Sequence, residues 1–157
     1  MDESHPSSGA GGRPALAPVP NLAEAMRRAR LESAEQGQVA ADLRNGEIAR
    51  LDMLREALRP VLAQVPDEVD LFDVGVTAGQ RPRLFIDMIG FVEMARDRRT
   101  YRFLQDTRHG RLTIAESERI DVMTQAAADY VARRLIEREK ALAADLTVEE
   151  AAVRLVP

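Results

Sequence analysis

The residues best suited to chemistry are few. Asp87 and Glu93 lie six positions apart in a β-rich run. On one strand that spacing puts both carboxylates on the same face. Carboxylates so placed can hold a divalent metal for hydrolysis, usually with a lysine nearby to balance charge. The only lysine is Lys140, far along the chain. Asp87 and Glu93 are therefore expected to pair with neighbouring arginines on a solvent-facing surface. A metal-dependent hydrolase is the least favoured of three functional readings.

Nucleophilic catalysis has little to draw on. There are two histidines, His5 in a Pro/Gly-rich tail and His109 beside Gly110 in a turn, and no cysteine. Neither a G-x-S-x-G elbow nor a phosphate-binding glycine loop occurs. Without cysteine there is no disulfide, thiolate nucleophile or iron–sulfur ligand. No catalytic residue, metal ligand or cofactor is assigned, and the balance leans away from an enzyme.

The charge layout is more informative. Residues 81–111 carry 8 arginines against 4 acids, a balance of +4, inside a chain of net charge −4. Arg96, Arg98, Arg99, Arg102, Arg108 and Arg111 fall on two turns and the strand between them. With Tyr101 they form the candidate partner-binding surface. Tyr101 and Phe103 could stack on bases if the partner were nucleic acid. Asp97 and Asp106, lying among the arginines, favour pairing within the chain or across a subunit interface.

These side chains need elements to position them. The 157 residues are 45% apolar and 31% charged, the composition of a folded domain, with only 4% aromatic. Residues 1–20 hold four prolines and three glycines and read as a disordered tail. Asn21, three residues before Glu24, caps a helical segment over 21–66. Gly37 and Gly46 weaken that helix, with a break expected near Gly37, and Pro60 should kink it. Leu51, Leu54, Leu58, Val61 and Val65 step by 3, 4, 3 and 4, a short coiled-coil-like seam. The seam fits either packing on the chain's own sheet or a dimer interface.

Residues 67–157 read as a β-meander followed by a helix, forming a single domain with 21–66. Strands are expected at Phe72–Val76, at Leu84–Ala95 bent at Gly90, at Tyr101–Leu104, and around Leu112 and Ile114, four in all. Ser117 should cap a second long helix carrying Ile120, Met123, Ala127, Tyr130 and Leu135. Thr147 with Glu150 should cap a short last helix. The fold class is thus α+β: a long N-terminal helix, a four-stranded antiparallel meander and a long C-terminal helix, with both helices on one sheet face.

No apolar run approaches the ~18 residues of a membrane span. The acidic N-terminus lacks the apolar core of a secretory signal. The Ala- and Arg-rich composition suggests a GC-rich bacterial coding sequence. These features point to a non-enzymatic, homodimeric interaction or regulatory protein of the bacterial cytoplasm. Its unidentified protein partner would bind the arginine-rich sheet face or the helices. Nucleic-acid binding through Arg96–Arg111 is the alternative.

Overall fold

The computed structural model describes residues 17–155 together with Gly9, Gly11 and Gly12. Most of the expected tail over 1–20 lies outside the described residues. The order of elements is α1 (Leu22–Leu62), β1 (Gly75–Thr77), β2 (Arg83–Phe85), β3 (Gly90–Met94), β4 (Tyr101–Thr107), β5 (Gly110–Ser117) and α2 (Ile120–Arg154). The chain divides into two units, residues 1–38 and 39–157, and the division falls within α1 just past Gly37.

The first unit contains the start of α1. Asn21 caps it as the sequence implies: its Oδ1 accepts from the backbone N–H of Ala23 at 2.9 Å and of Glu24 at 3.3 Å. Residues 22–38 bury no side chain, so Leu22, Met26 and Leu31 are exposed. The expected break near Gly37 does not occur, and the helix runs unbroken through both glycines.

The second unit holds the core. Its sheet has the order β1-β2-β3-β4-β5, and every neighbouring pair is antiparallel. The meander thus has five strands rather than four. The run expected as one strand bent at Gly90 is instead two strands joined by a turn at Ile86–Ile89. Asp87 accounts for this, since its Oδ1 accepts from the N–H of Ile89 at 3.0 Å and of Gly90 at 2.7 Å. An aspartate that satisfies its own turn's amides stabilises a reversal that composition alone hides.

Period-two alternation aims Leu84 and Ile86, Val92 and Met94, and Tyr101 and Phe103 at the helices. A bulge between Phe103 and Leu104 shifts the β4–β5 register, and Ile114 and Ala115 both pack on the core there. From the helices come Leu51, Leu54 and Leu58 of α1 and Met123, Ala127, Tyr130 and Val131 of α2. Both helices therefore cover one sheet face, as expected for this α+β class.

Two helix-end expectations change. Ser117 does not cap α2: its Oγ accepts from Arg119 N–H at 3.0 Å at the strand end, and the helix starts at Ile120. Thr147 does not start a new helix. Its hydroxyl donates to the Ala143 carbonyl at 2.9 Å, one turn back, and α2 continues to Arg154.

Leu54 is 1% exposed and Met53, its neighbour, 57%. Leu54→Ala is expected to lower stability by about 2–5 kcal/mol, and Met53→Ala by about 0.5 kcal/mol or less. Equal losses in urea denaturation would contradict this orientation of α1.

Candidate functional site

The structure separates the two candidate carboxylates. Asp87 sits in the β2–β3 turn and faces α2, whereas Glu93 lies on β3 between the core residues Val92 and Met94 and so faces the opposite way. The expected single strand with both on one face is corrected by the turn between them. Nor are they solvent-facing: each is 3% exposed. Pairing with neighbouring arginines is found for Glu93, with Arg81 and Arg83, whereas Asp87 pairs with the distant Arg134 of α2. A hydrolytic metal site built from this pair has no geometric basis. Among the described residues no group of three or more His, Cys, Asp or Glu side chains is placed to hold a metal.

Asp87 anchors the helix side of the sheet. Its Oδ1 receives the two turn amides and the Tyr130 hydroxyl at 2.8 Å, while Oδ2 receives Arg134 Nε at 2.8 Å. Burial, and then the Asp87 carboxylate, push the Tyr130 phenol well above its ordinary range, so it remains a donor. Gly90 is required at this point. A Cβ there would come within 2.5 Å of Tyr130 Oη.

The opposite sheet face carries Phe85, Phe91 and Leu104, which alternate with core residues. The guanidinium groups of Arg83 and Arg111 lie 4.4 Å and 4.8 Å from the Phe91 ring centroid, and Phe91 is 1% exposed. Charged side chains laid over aromatic carbon thus take the place of a further layer. Their charges are matched within the sheet: Arg83 to Glu93 at 3.4 Å, Arg102 to Glu116 at 2.9 Å and Arg111 to Asp106 at 2.7 Å.

The arginine patch expected over Arg96–Arg111 is therefore divided. The β3–β4 turn, with Arg96, Arg98 and Arg99, and the β4–β5 turn, with Arg108, sit at opposite ends of the seven-residue β4. That strand spans about 20 Å. Arg98 pairs with Glu47 of α1 at 3.8 Å. Arg96, Arg99 and Arg108 are exposed and form no salt bridge with any described residue.

Tyr101 and Phe103 are corrected as stacking candidates. They are 2% and 0% exposed, and the Tyr101 hydroxyl donates to the Arg50 carbonyl at 2.7 Å. Their shared phase placed both rings on one face, and that face is the core. His109 is exposed in its turn, with its N–H donating to Thr107 Oγ1 at 3.2 Å. His5 lies outside the described residues.

The β3–β4 turn is tightly built. Asp97 Oδ1 accepts from Arg99 and Thr100 N–H, both at 2.9 Å, and Oδ2 from the Thr100 hydroxyl at 2.6 Å. Arg98 takes φ 61, a left-handed conformation that is rare for arginine. The Thr100 hydroxyl, then the Thr100 and Arg99 amides, bring the Asp97 carboxyl down to about 2.

The seam residues of α1 divide as well. Leu51, Leu54 and Leu58 are buried in the chain's own core, and Val61 and Val65 are half-buried. The packing alternative for this seam is the one the fold adopts, so those leucines are not offered to a second copy. A groove of about 330 Å³ lies beside α1, lined by Ala41, Arg44, Asn45, Ile48 and residues 78–80. Arg44 is its only charged lining residue. Comparison with protein-family models, curated proteins and solved structures finds no match to this chain.

Two outcomes are expected. Asp87→Ala leaves two turn amides without their acceptor and Arg134 with Glu137 alone, and should cost about 3–5 kcal/mol. Tyr130→Phe removes one donor to a charged group and should cost about 1.5–3 kcal/mol. Denaturation midpoints in the reverse order would reject Asp87 as the anchor. The second outcome concerns pH. The Asp97 carboxyl is depressed in the folded state, from 3.8 to about 2. Its contribution is complete above the unfolded value and is lost as pH falls toward the folded one. The stability gap between the native chain and Asp97→Ala should narrow between pH ~4 and pH ~2; a constant gap would contradict the turn's hydrogen bonding.

Proposed function

We propose that this chain is a non-enzymatic interaction protein. It acts as a homodimer and engages an acidic surface of a protein partner through arginines of its sheet turns. The observation that carries this reading is the division of the arginines in residues 81–111. Arg81, Arg83, Arg98, Arg102 and Arg111 are matched to carboxylates, while Arg96, Arg99 and Arg108 reach solvent with no salt bridge to a described residue. An unmatched guanidinium on a tightly built turn presents a carboxylate-binding group at low ordering cost. Arg96 and Arg99 flank the rigid Asp97 turn and form the principal contact.

The roles of the buried carboxylates support a non-catalytic reading. Asp87 and Glu93 hold a turn and a charge layer. No buried side-chain polar atom among the described residues lacks a hydrogen-bond partner. Among the described residues no helix is long and apolar enough to cross a membrane.

Nucleic-acid binding draws on the same three arginines. With the Tyr101 and Phe103 rings buried it would rest on phosphate contacts alone, spread over the two ends of β4, and it is the weaker reading.

Affinity capture from the source cells tests the proposal. The intact chain should retain a protein partner after nuclease treatment, and Arg96→Ala/Arg99→Ala should reduce that retention at least about tenfold, the scale of one lost charge-assisted contact. Retention abolished by nuclease, with affinity falling steeply with salt, would instead establish the nucleic-acid reading.

A further inference from the structure

The two edges of the sheet differ. β1 is three residues long, whereas β5 has eight and is the longest strand. Among the described residues no backbone hydrogen bond joins β5 to anything but β4. Sheet edges are usually kept short or blunted, because a row of unpaired N–H and C=O groups templates another strand. β5 contains neither proline nor lysine. Its Leu112, on the helix side of the sheet, is 56% exposed.

The only two charges of β5 share a face. Arg111 lies over the Phe91 ring, on the face away from the helices. Glu116 is opposite Arg102, which sits between the core residues Tyr101 and Phe103 and so points to that same outer face. Residues five apart on a regular strand point opposite ways. The bulge at Phe103/Leu104 leaves Ile114 without a partner in β4, and this brings both charges to one side.

Rows of alternating charge cross the outer face and stop at β5. Arg83, Glu93, Arg102 and Glu116 are neighbours on β2, β3, β4 and β5 in turn, so this row ends on an acid. Asp106 and Arg111 are neighbours on β4 and β5, so that row ends on a cation. A second β5 laid antiparallel, with Arg111 opposite the partner's Glu116, joins the two rows into one that alternates in sign from end to end. The two-fold axis makes the contact twice, and the same register sets Leu112 against the partner's Ala115. No other antiparallel register within the strand sets Arg111 opposite an acid. Parallel pairing about a two-fold axis sets each charge opposite its own copy. Past the strand ends the antiparallel register brings His109 toward the partner's Glu118 and Arg108 toward the partner's Arg119. Arg119 is already paired with Asp121 at 2.6 Å.

We infer that β5 is the dimer interface: it pairs antiparallel with β5 of a second copy, Arg111 opposite the partner's Glu116, and joins two five-stranded sheets into one. This rests on reading the chain as a homodimeric interaction protein, and it moves the interface away from the 51–65 seam.

Sedimentation of the full chain tests it. The intact chain should run at twice its 17.4 kDa mass. Arg111→Glu and Glu116→Arg should each run as monomers. An equimolar mixture of the two should run as a dimer, since both contacts of the mixed pair then join opposite charges. Each variant also loses an ion pair within its own sheet, to Asp106 or to Arg102. Mixing does not restore those pairs, so recovery reports the interface. Because the chain has no cysteine, oxidation can read the strand direction. Leu112→Cys/Ala115→Cys should form a disulfide-linked dimer. Leu112→Cys alone should not, because its two thiols lie about 10 Å apart along the antiparallel strands, whereas parallel strands would set them side by side. A linked Leu112→Cys variant, an unlinked Leu112→Cys/Ala115→Cys variant, or a mixture that stays monomeric would overturn the inference. An Arg111→Glu variant that stays dimeric would overturn it while leaving the homodimer reading intact. An intact chain that sediments as a monomer would remove both.

Discussion

The buried carboxylate of Asp87 is the interaction on which the second unit depends. A charge removed from water is costly unless it is paired and hydrogen-bonded. Here two turn amides, a phenol and a guanidinium surround it. Each partner does separate work. The amides make a tight reversal where the chain would otherwise run on as one strand. Tyr130 and Arg134 bind that reversal to α2, so strand count and helix docking follow from one side chain. Gly90 is fixed by the same arrangement, because the Tyr130 ring occupies the space of a β-carbon. The Tyr130 ring also meets Phe103 edge-on, with centroids 5.0 Å apart, which joins the polar anchor to the apolar core.

The other sheet face solves a different problem with the same residue types. A five-stranded sheet with helices on one side leaves three apolar side chains, Phe85, Phe91 and Leu104, without a covering layer. Arginine is suited to this gap because its planar head stacks on a ring while still bonding a carboxylate. Glu93 is drawn out of solvent by this arrangement, between Arg81 and Arg83. Much of the basic excess in residues 81–111 is therefore structural. What remains at the turns is smaller than the sequence total suggests, and it is held on rigid backbone.

Legibility in the sequence followed the range of the interactions. The Asn21 cap was readable because an N-cap is decided within three residues. The α+β class and the one-sided packing of the helices were readable from two clear periodicities. The fifth strand was not, because Met88 and Ile89 extend an apolar pattern straight through the turn that Asp87 makes. Thr147 was ambiguous in kind, since one hydroxyl can cap a new helix or bond back to the preceding turn, and only continuity of the helix decides. The arginine patch divides for a reason that was available: in a meander, consecutive turns alternate ends, so turns on either side of one strand do not form one surface. The burial of Tyr101 and Phe103 removes the stacking role expected of them. Their phase showed that they share a face, but not that the face was the core.

The helices are longer than the sheet can use. Neither residues 22–38 nor residues 139–155 bury a side chain, yet both are helical nearly throughout. An isolated segment of such length is marginal in water, because nucleation is costly. Here each is continuous with a helical stretch held in the core, so it extends an existing helix and adds one hydrogen bond per residue. Alanine, leucine and glutamate keep that extension close to neutral in free energy.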